Sequence, residues 1–236
     1  MKYLKHLSII IMMLFVSNQM VKAHAIWIES NPIGSKNQSH TIRIYYGEYA
    51  SGEIEKTKDW YSDLSQLKLN LLDSKNKQVE LHLTDKGTYL ESSFIPVEDG
   101  IYQVFISHPA RELGGTTRYE FIAQNRIQVG EALNYSSIPL DTHFVFTNQV
   151  LKVKDLVEIQ LLRGSNPIAN EEILLMSPSG WSKTYKTNNQ GKIQAEVIWP
   201  GTYVIEHSHM TDQSGSWNDK SYTKNWQGLT ASFQVK

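Results

Sequence analysis

The sequence contains no cysteine. That excludes disulfide bonds, thiolate metal ligands and the lipid-modified cysteine of a bacterial lipoprotein. It also argues against a secreted eukaryotic domain, which at this size usually carries disulfides. No run or stripe of basic residues occurs, so nucleic acid and anionic membranes are poor candidate partners. After residue 23 there is no long apolar run, which excludes direct membrane insertion by a helix from the rest of the chain. The sequence also lacks GxSxG, a P-loop, a GxGxxG after a strand, HExxH and any dense histidine tract. With those signatures missing, a binding protein is expected and catalysis is not. The adjacent carboxylates Glu171-Glu172 read as a solvated strand start.

What is present begins at residue 1. Lys2 and Lys5 form a positive start, residues 7–16 are an uncharged apolar core, and Val21-Lys22-Ala23 has the small-residue pattern of a cleavage site. Ten apolar residues are too few to span a bilayer, which takes about 20. The pattern predicts a signal peptide over residues 1–23 and a mature chain starting at His24. Cleavage after Ala25 satisfies the same rule. The expected compartment is the bacterial periplasm. Loss of Lys2, Lys5 and Lys22 would reduce 23 basic residues to 20, against 24 acidic ones.

The remaining chain alternates apolar and polar residues in short runs, such as 24–29, 41–46, 66–72, 89–95, 102–107 and 119–129. Turn residues separate them, including Asp73-Ser74-Lys75-Asn76 and Glu98-Asp99-Gly100. Residues 53–65 are the one candidate short helix, with Ile54, Trp60, Tyr61 and Leu64 able to share a face. Residues 131–150 interrupt the pattern, which restarts over 155–162, 172–176, 181–187, 192–199, 202–210 and 229–235. Short strands at this spacing predict an all-β chain of two β-sandwich, Ig-like domains in series, over 24–130 and 151–236, with 131–150 as the connection.

Two resemblances follow from these residues. Pro167-Ile168-Ala169, then Asn188-Asn189-Gln190-Gly191, then Pro200-Gly201-Thr202-Tyr203 resembles the order of motifs in Ig-like carboxypeptidase-regulatory modules. The segment His24-Ala25-Ile26-Trp27 after Ala23 resembles the Ala-His-x-x-Trp start of a bacterial periplasmic family. Tyr45-Tyr46-Gly47-Glu48, Arg118-Tyr119-Glu120-Phe121 and Ser214-Gly215-Ser216-Trp217 follow in that family's order. The family is often labelled the periplasmic component of cobalt or nickel uptake. The resemblance implies a metal-delivery role beside an inner- or outer-membrane transporter.

The histidines carry the chemistry. A terminal His24 would offer its amine and Nδ1 to one metal, and further imidazoles would complete the nitrogen-rich set that favours Cu(II) or Ni(II). His207 and His209 sit two apart, so on a strand they point to one side with Cα atoms about 6.5–7 Å apart. Glu206 and Asp212 could assist them. His108 ends a strand before Pro109 and could approach His24. The set His24, His207, His209 and His108 is therefore the candidate metal site for copper, nickel or cobalt, and it needs the two domains to bring these strand ends together. His40 and His82 read as surface residues, and His143 stays open. Trp181, Trp217 and Trp226 suggest an alternative, a sandwich that stacks on glycans or meets another envelope protein. A third option is an oxidative copper enzyme built on His24.

Overall fold

The computed structural model describes residues 24–131, 138–146 and 150–236. The expected signal peptide and parts of the connection lie outside the described residues.

The first half supplies β1 (Ala25–Ser30), β2 (Ile33–Gly34), β3 (His40–Glu48), β4 (Glu53–Ile54), β5 (Leu69–Leu72), β6 (Gln78–Leu81), β7 (Thr84–Asp85), β8 (Leu90–Phe94), β9 (Gly100–Pro109) and β10 (Thr117–Val129). The second supplies β11 (Thr142–Phe146), β12 (Val150–Leu151), β13 (Leu156–Arg163), β14 (Asn166–Pro167), β15 (Glu172–Met176), β16 (Ser182–Lys186), β17 (Lys192–Glu196), β18 (Gly201–Trp217) and β19 (Lys220–Val235). No α-helix occurs among the described residues.

The period-two pattern becomes burial directly. In β3, His40, Ile42, Ile44 and Tyr46 are buried, while Thr41 and Arg43 are exposed. The expected helix over residues 53–65 does not form. Single 3-10 turns occupy Thr57–Asp59 and Leu64–Gln66 instead. Between them Trp60 is extended and Ser62 has φ 55°, which breaks the helical path. Trp60 and Leu64 still enter the core, but Ile54 is exposed.

Three sheets result among the described residues. A five-stranded sheet runs β1-β3-β8-β7 with β4 beside β3, and a four-stranded sheet runs β11-β13-β14 with β17 beside β13. The third, of ten strands, runs β16-β15-β18-β19-β10-β9-β5-β6 and belongs to both halves. The join is β19 lying parallel to β10, from Thr117↔Lys224 to Gln124↔Ala231. Each smaller sheet packs against part of this shared sheet.

The first core holds Ile26, Ile28, Ile42, Ile44, Val104, Phe121 and Ile127, and Trp226 of the last strand packs against it. The second holds Phe144, Ile159, Leu161, Ile173, Leu175, Tyr203, Ile205 and Phe233, joined by Leu72, Phe105 and Ile122 of the first half. Each fully buried side chain of this size contributes roughly 1.5–3 kcal/mol. Trp27, Met176 and Val204 form a third cluster that ties β1 to β15 and β18.

The β18–β19 hairpin reaches from the second core across to the first. Asn218 and Asp219 turn it with φ 49° and 63°, the pair of positive values that a two-residue hairpin loop requires. Its tip is anchored where Trp217 Nε1 donates to the carbonyl of Ala110 at 2.8 Å. The guanidinium of Arg118 lies 4.6 Å over the Trp217 ring.

Candidate metal centre

β18 places Tyr203, Ile205 and His207 in succession on the face turned to the second core, where all three are buried. His207 keeps a hydrogen bond there. Its Nδ1 donates to the main-chain carbonyl of Glu172 at 3.1 Å. That bond sets the tautomer, with the proton on Nδ1 and the lone pair on Nε2. Nε2 lies 4.0 Å from Oε2 of Glu171, and the same oxygen lies 3.9 Å from Nδ1 of His209. The two imidazoles are near-parallel, with centroids 6.2 Å apart.

Glu171 is there because of strand register. β15 pairs antiparallel with β18 through Leu174↔Glu206, Leu175↔Ile205 and Met176↔Val204. Continuing that register brings Glu171 opposite His209. The main chain of Glu171 is pinned, since its N–H donates to Thr187 Oγ1 at 2.9 Å and its carbonyl accepts from Thr187 N–H at 2.9 Å.

One ligand atom from each of Glu171, His207 and His209 lies within 4.8 Å of the others. Two nitrogen or oxygen atoms bound about 2.1 Å from one ion are at most about 4.2 Å apart. The two carboxylate–imidazole separations already meet that limit. A hollow of about 10 Å³, lined by Ile122, Thr142, Arg163, Gln227 and Leu229, adjoins the two histidines. Burial lowers the pKa of His207 below its ordinary value, which favours the neutral imidazole that a metal needs. The bond to Glu172 and the charge of Glu171 oppose that shift, while His209 and Arg163 add to it, and Arg163 lies 3.7 Å from Asp141.

His24 belongs to a different group. Its Nε2 lies 3.2 Å from Oε1 of Glu55, and its ring lies 5.4 Å from that of Tyr46. One ligand atom from each of His24, Glu53 and Glu55 falls within 4.8 Å of the others. The histidines proposed as one site are therefore divided between two clusters. His108 is in neither. Its Nε2 lies 3.1 Å from Asp63 Oδ1, and Asp63 also accepts from the main-chain N–H of Arg111 at 2.9 Å. This pairing ties β9 to the loop around residue 63.

Other expectations change for definable reasons. His40 is buried, with Nε2 2.7 Å from Ser30 Oγ and its ring against Phe94, so it is not a surface residue. His82 is exposed. His143 is buried in β11. Glu206 faces away from His207, because alternate residues on a strand point to opposite sides. Asp212 is exposed and in neither cluster.

Glu171, Glu53 and Glu55 were the ligand candidates not apparent from sequence. Glu171 had looked like half of a solvated pair. The tryptophans considered for glycan stacking are engaged: Trp226 packs on Tyr119 and Phe121, Trp181 on Trp199, and Trp217 under Arg118.

No family model matches the chain, and no curated protein matches it in sequence. Similar solved structures include the CARDB domain of a Pyrococcus furiosus protein in complex with di-metal ions. It is 12% identical, covers 46% of this chain and 89% of its own, and has a TM-score of 0.26. Salmonella alpha-2-macroglobulin reacted with methylamine is 9% identical with a TM-score of 0.31, the match covering 88% of this chain but 15% of that one. A segment of two fibronectin type-III domains from chicken tenascin is 6% identical over 88% and 97% of the two chains, with a TM-score of 0.25. The metal ions of the Pyrococcus domain are that domain's own.

Proposed function

We propose that this β-sandwich protein is exported to the periplasm and binds a transition-metal ion, nickel, cobalt or copper, at Glu171, His207 and His209. The observation that carries the reading is the hydrogen bond from His207 Nδ1 to the carbonyl of Glu172. Metal-binding histidines characteristically donate their second ring N–H in this way, which orients the ring and raises the basicity of the ligating nitrogen. Two imidazoles and one carboxylate are borderline donors that suit Ni(II), Co(II), Cu(II) or Zn(II) over Mg(II) or Ca(II).

The site lies beside solvent at His209 and is closed by the core at His207, so an ion can enter and leave on one side. That arrangement fits sequestration or hand-over to a membrane transporter and needs no catalysis. The resemblance of residues 23–236 to periplasmic cobalt or nickel uptake proteins points the same way. Calorimetry with Ni(II), Co(II) and Cu(II) tests it: the parent protein should bind one ion here, and His207→Ala/His209→Ala should lose it.

A second reading, a module that meets another envelope protein, is favoured by one surface. Val153, Leu156 and Ile198 are exposed apolar residues brought together where Lys154 N–H donates to Val197 O at 2.7 Å. If no ion binds tighter than about 10 μM, roughly −7 kcal/mol, this reading replaces the first.

A further inference from the structure

The group around His24 is built on different elements and has different chemistry. β4 is only two residues long, yet it is held at both ends. Glu53 pairs with Glu48 of β3, and beyond the strand the N–H of Glu55 donates to the carbonyl of Tyr46 at 2.9 Å. The carbonyl of Glu55 in turn accepts from Nε1 of buried Trp60 at 3.1 Å. Gly47 makes this closeness possible. Its φ is 151°, and a Cβ there would lie 2.1 Å from the carbonyl oxygen of Glu53. Only glycine lets β4 lie so near β3.

Glu53 in β4 and Glu55 just beyond it turn their carboxylates to one side, with an oxygen of each within 4.8 Å of the other. His24 reaches that side because Ala25 pairs with Gly47 at the start of β1. All three side chains are part-buried and keep access to solvent.

We propose that His24, Glu53 and Glu55 form a second divalent-cation site, independent of the one at His207, which takes an oxygen-preferring first-row ion of the Mn(II) class. Two carboxylates and one imidazole make a harder donor set than two imidazoles and one carboxylate, and carboxylate-rich sites suit Mn(II) where imidazole-rich ones suit copper or nickel. The ion would replace the 3.2 Å contact between His24 and Glu55 and join three residues from β1 and the β4 region.

Mn(II) titration followed by electron paramagnetic resonance reads this site directly, because free Mn(II) gives a signal that bound Mn(II) loses. The full mature protein should take up one Mn(II). Glu53→Gln/Glu55→Gln should weaken that uptake by about 10- to 100-fold or more, and His207→Ala/His209→Ala should leave it unchanged. The reverse pattern for nickel would show two separate sites. Should the double glutamine variant fail to fold by circular dichroism, Glu55→Gln alone serves, and its Mn(II) affinity should drop as well. Mn(II) uptake that survives the glutamine substitutions in folded protein overturns the proposal, as does uptake lost on substitution of His207 and His209. Loss of nickel binding from the parent protein with Mn(II) uptake intact would remove the proposed function and leave this site standing.

Discussion

The hydroxyl of Thr230 donates to the main-chain carbonyl of Ile26 at 2.6 Å, joining residues 204 positions apart. Ser232 Oγ and Asn125 Nδ2 reach the carbonyl of Ile28 in the same way. β1 pairs with β3 along one edge, and these side chains of the ten-stranded sheet satisfy carbonyls on the other. Two sheets are thereby sewn together by polar groups inside a largely apolar interior. Thr230→Val preserves shape and leaves the Ile26 carbonyl buried without this donor. It should cost about 1–3 kcal/mol, seen as a lower urea midpoint with an unchanged slope. A midpoint equal to the parent's would show that the bond contributes nothing.

Gly47 is a stricter requirement. Gly47→Ala must push β4 away from β3, because its Cβ would lie 2.1 Å from the main-chain carbonyl oxygen of Glu53 in β4. The variant should lose Mn(II) uptake at Glu53 and Glu55 and keep nickel binding at His207. Equal Mn(II) affinity in parent and variant would mean that the carboxylates do not depend on this approach.

Glu206 predicts a pH effect with an unusual sign. Burial, and then the charge of Glu48, raises its pKa from 4.5 to about 7. A carboxyl with a raised folded pKa holds its proton more tightly in the folded state than in the unfolded one. Its contribution therefore falls as pH rises from about 4.5 to about 7 and stays lost above that. Burial lowers the pKa of His40, His143 and His207, so those groups act oppositely and cost stability as pH drops below 6.5. Comparing the parent with Glu206→Gln cancels the histidine part. The variant should gain stability at pH 8, up to about 3 kcal/mol at about 1.4 kcal/mol per unit, with the gain vanishing near pH 4. A constant difference across that range would contradict the assignment.

The start of the chain is testable by itself. Protein recovered from periplasm should begin His-Ala-Ile-Trp. A free amine at His24 would add a nitrogen donor beside Glu53 and Glu55. One added residue ahead of His24 should then weaken copper binding at that end and leave His207 and His209 untouched. Identical copper affinity with and without the added residue removes the amine from the ligand set.

Local chemistry was readable in the sequence wherever it depends on neighbours along the chain. The alternation of His40, Ile42 and Ile44 against Thr41 and Arg43 announces a half-buried strand, and the shared direction of His207 and His209 follows from strand geometry alone. What was not readable depends on register between distant segments. Nothing local to Glu171 says that it lies opposite His209; that follows from β15 pairing with β18. Nothing near Lys224 says that β19 will run parallel to β10. His40 looked solvated because its partner, Ser30, comes from another strand. The helix expected over residues 53–65 failed for a local reason, the positive φ of Ser62, which side-chain periodicity does not reveal.

The most direct measurement is nickel affinity by calorimetry for the parent protein, Glu171→Gln and His207→Ala/His209→Ala, each checked for folding. Since burial keeps His207 neutral below the ordinary histidine pKa of 6.5, the binding should persist at pH 6.5. The parent should bind one ion tighter than about 10 μM, roughly −7 kcal/mol. Glu171→Gln should weaken it, and the double histidine variant should abolish it at this site. Nickel affinity indifferent to all three residues, in folded protein, would contradict the metal centre at Glu171, His207 and His209.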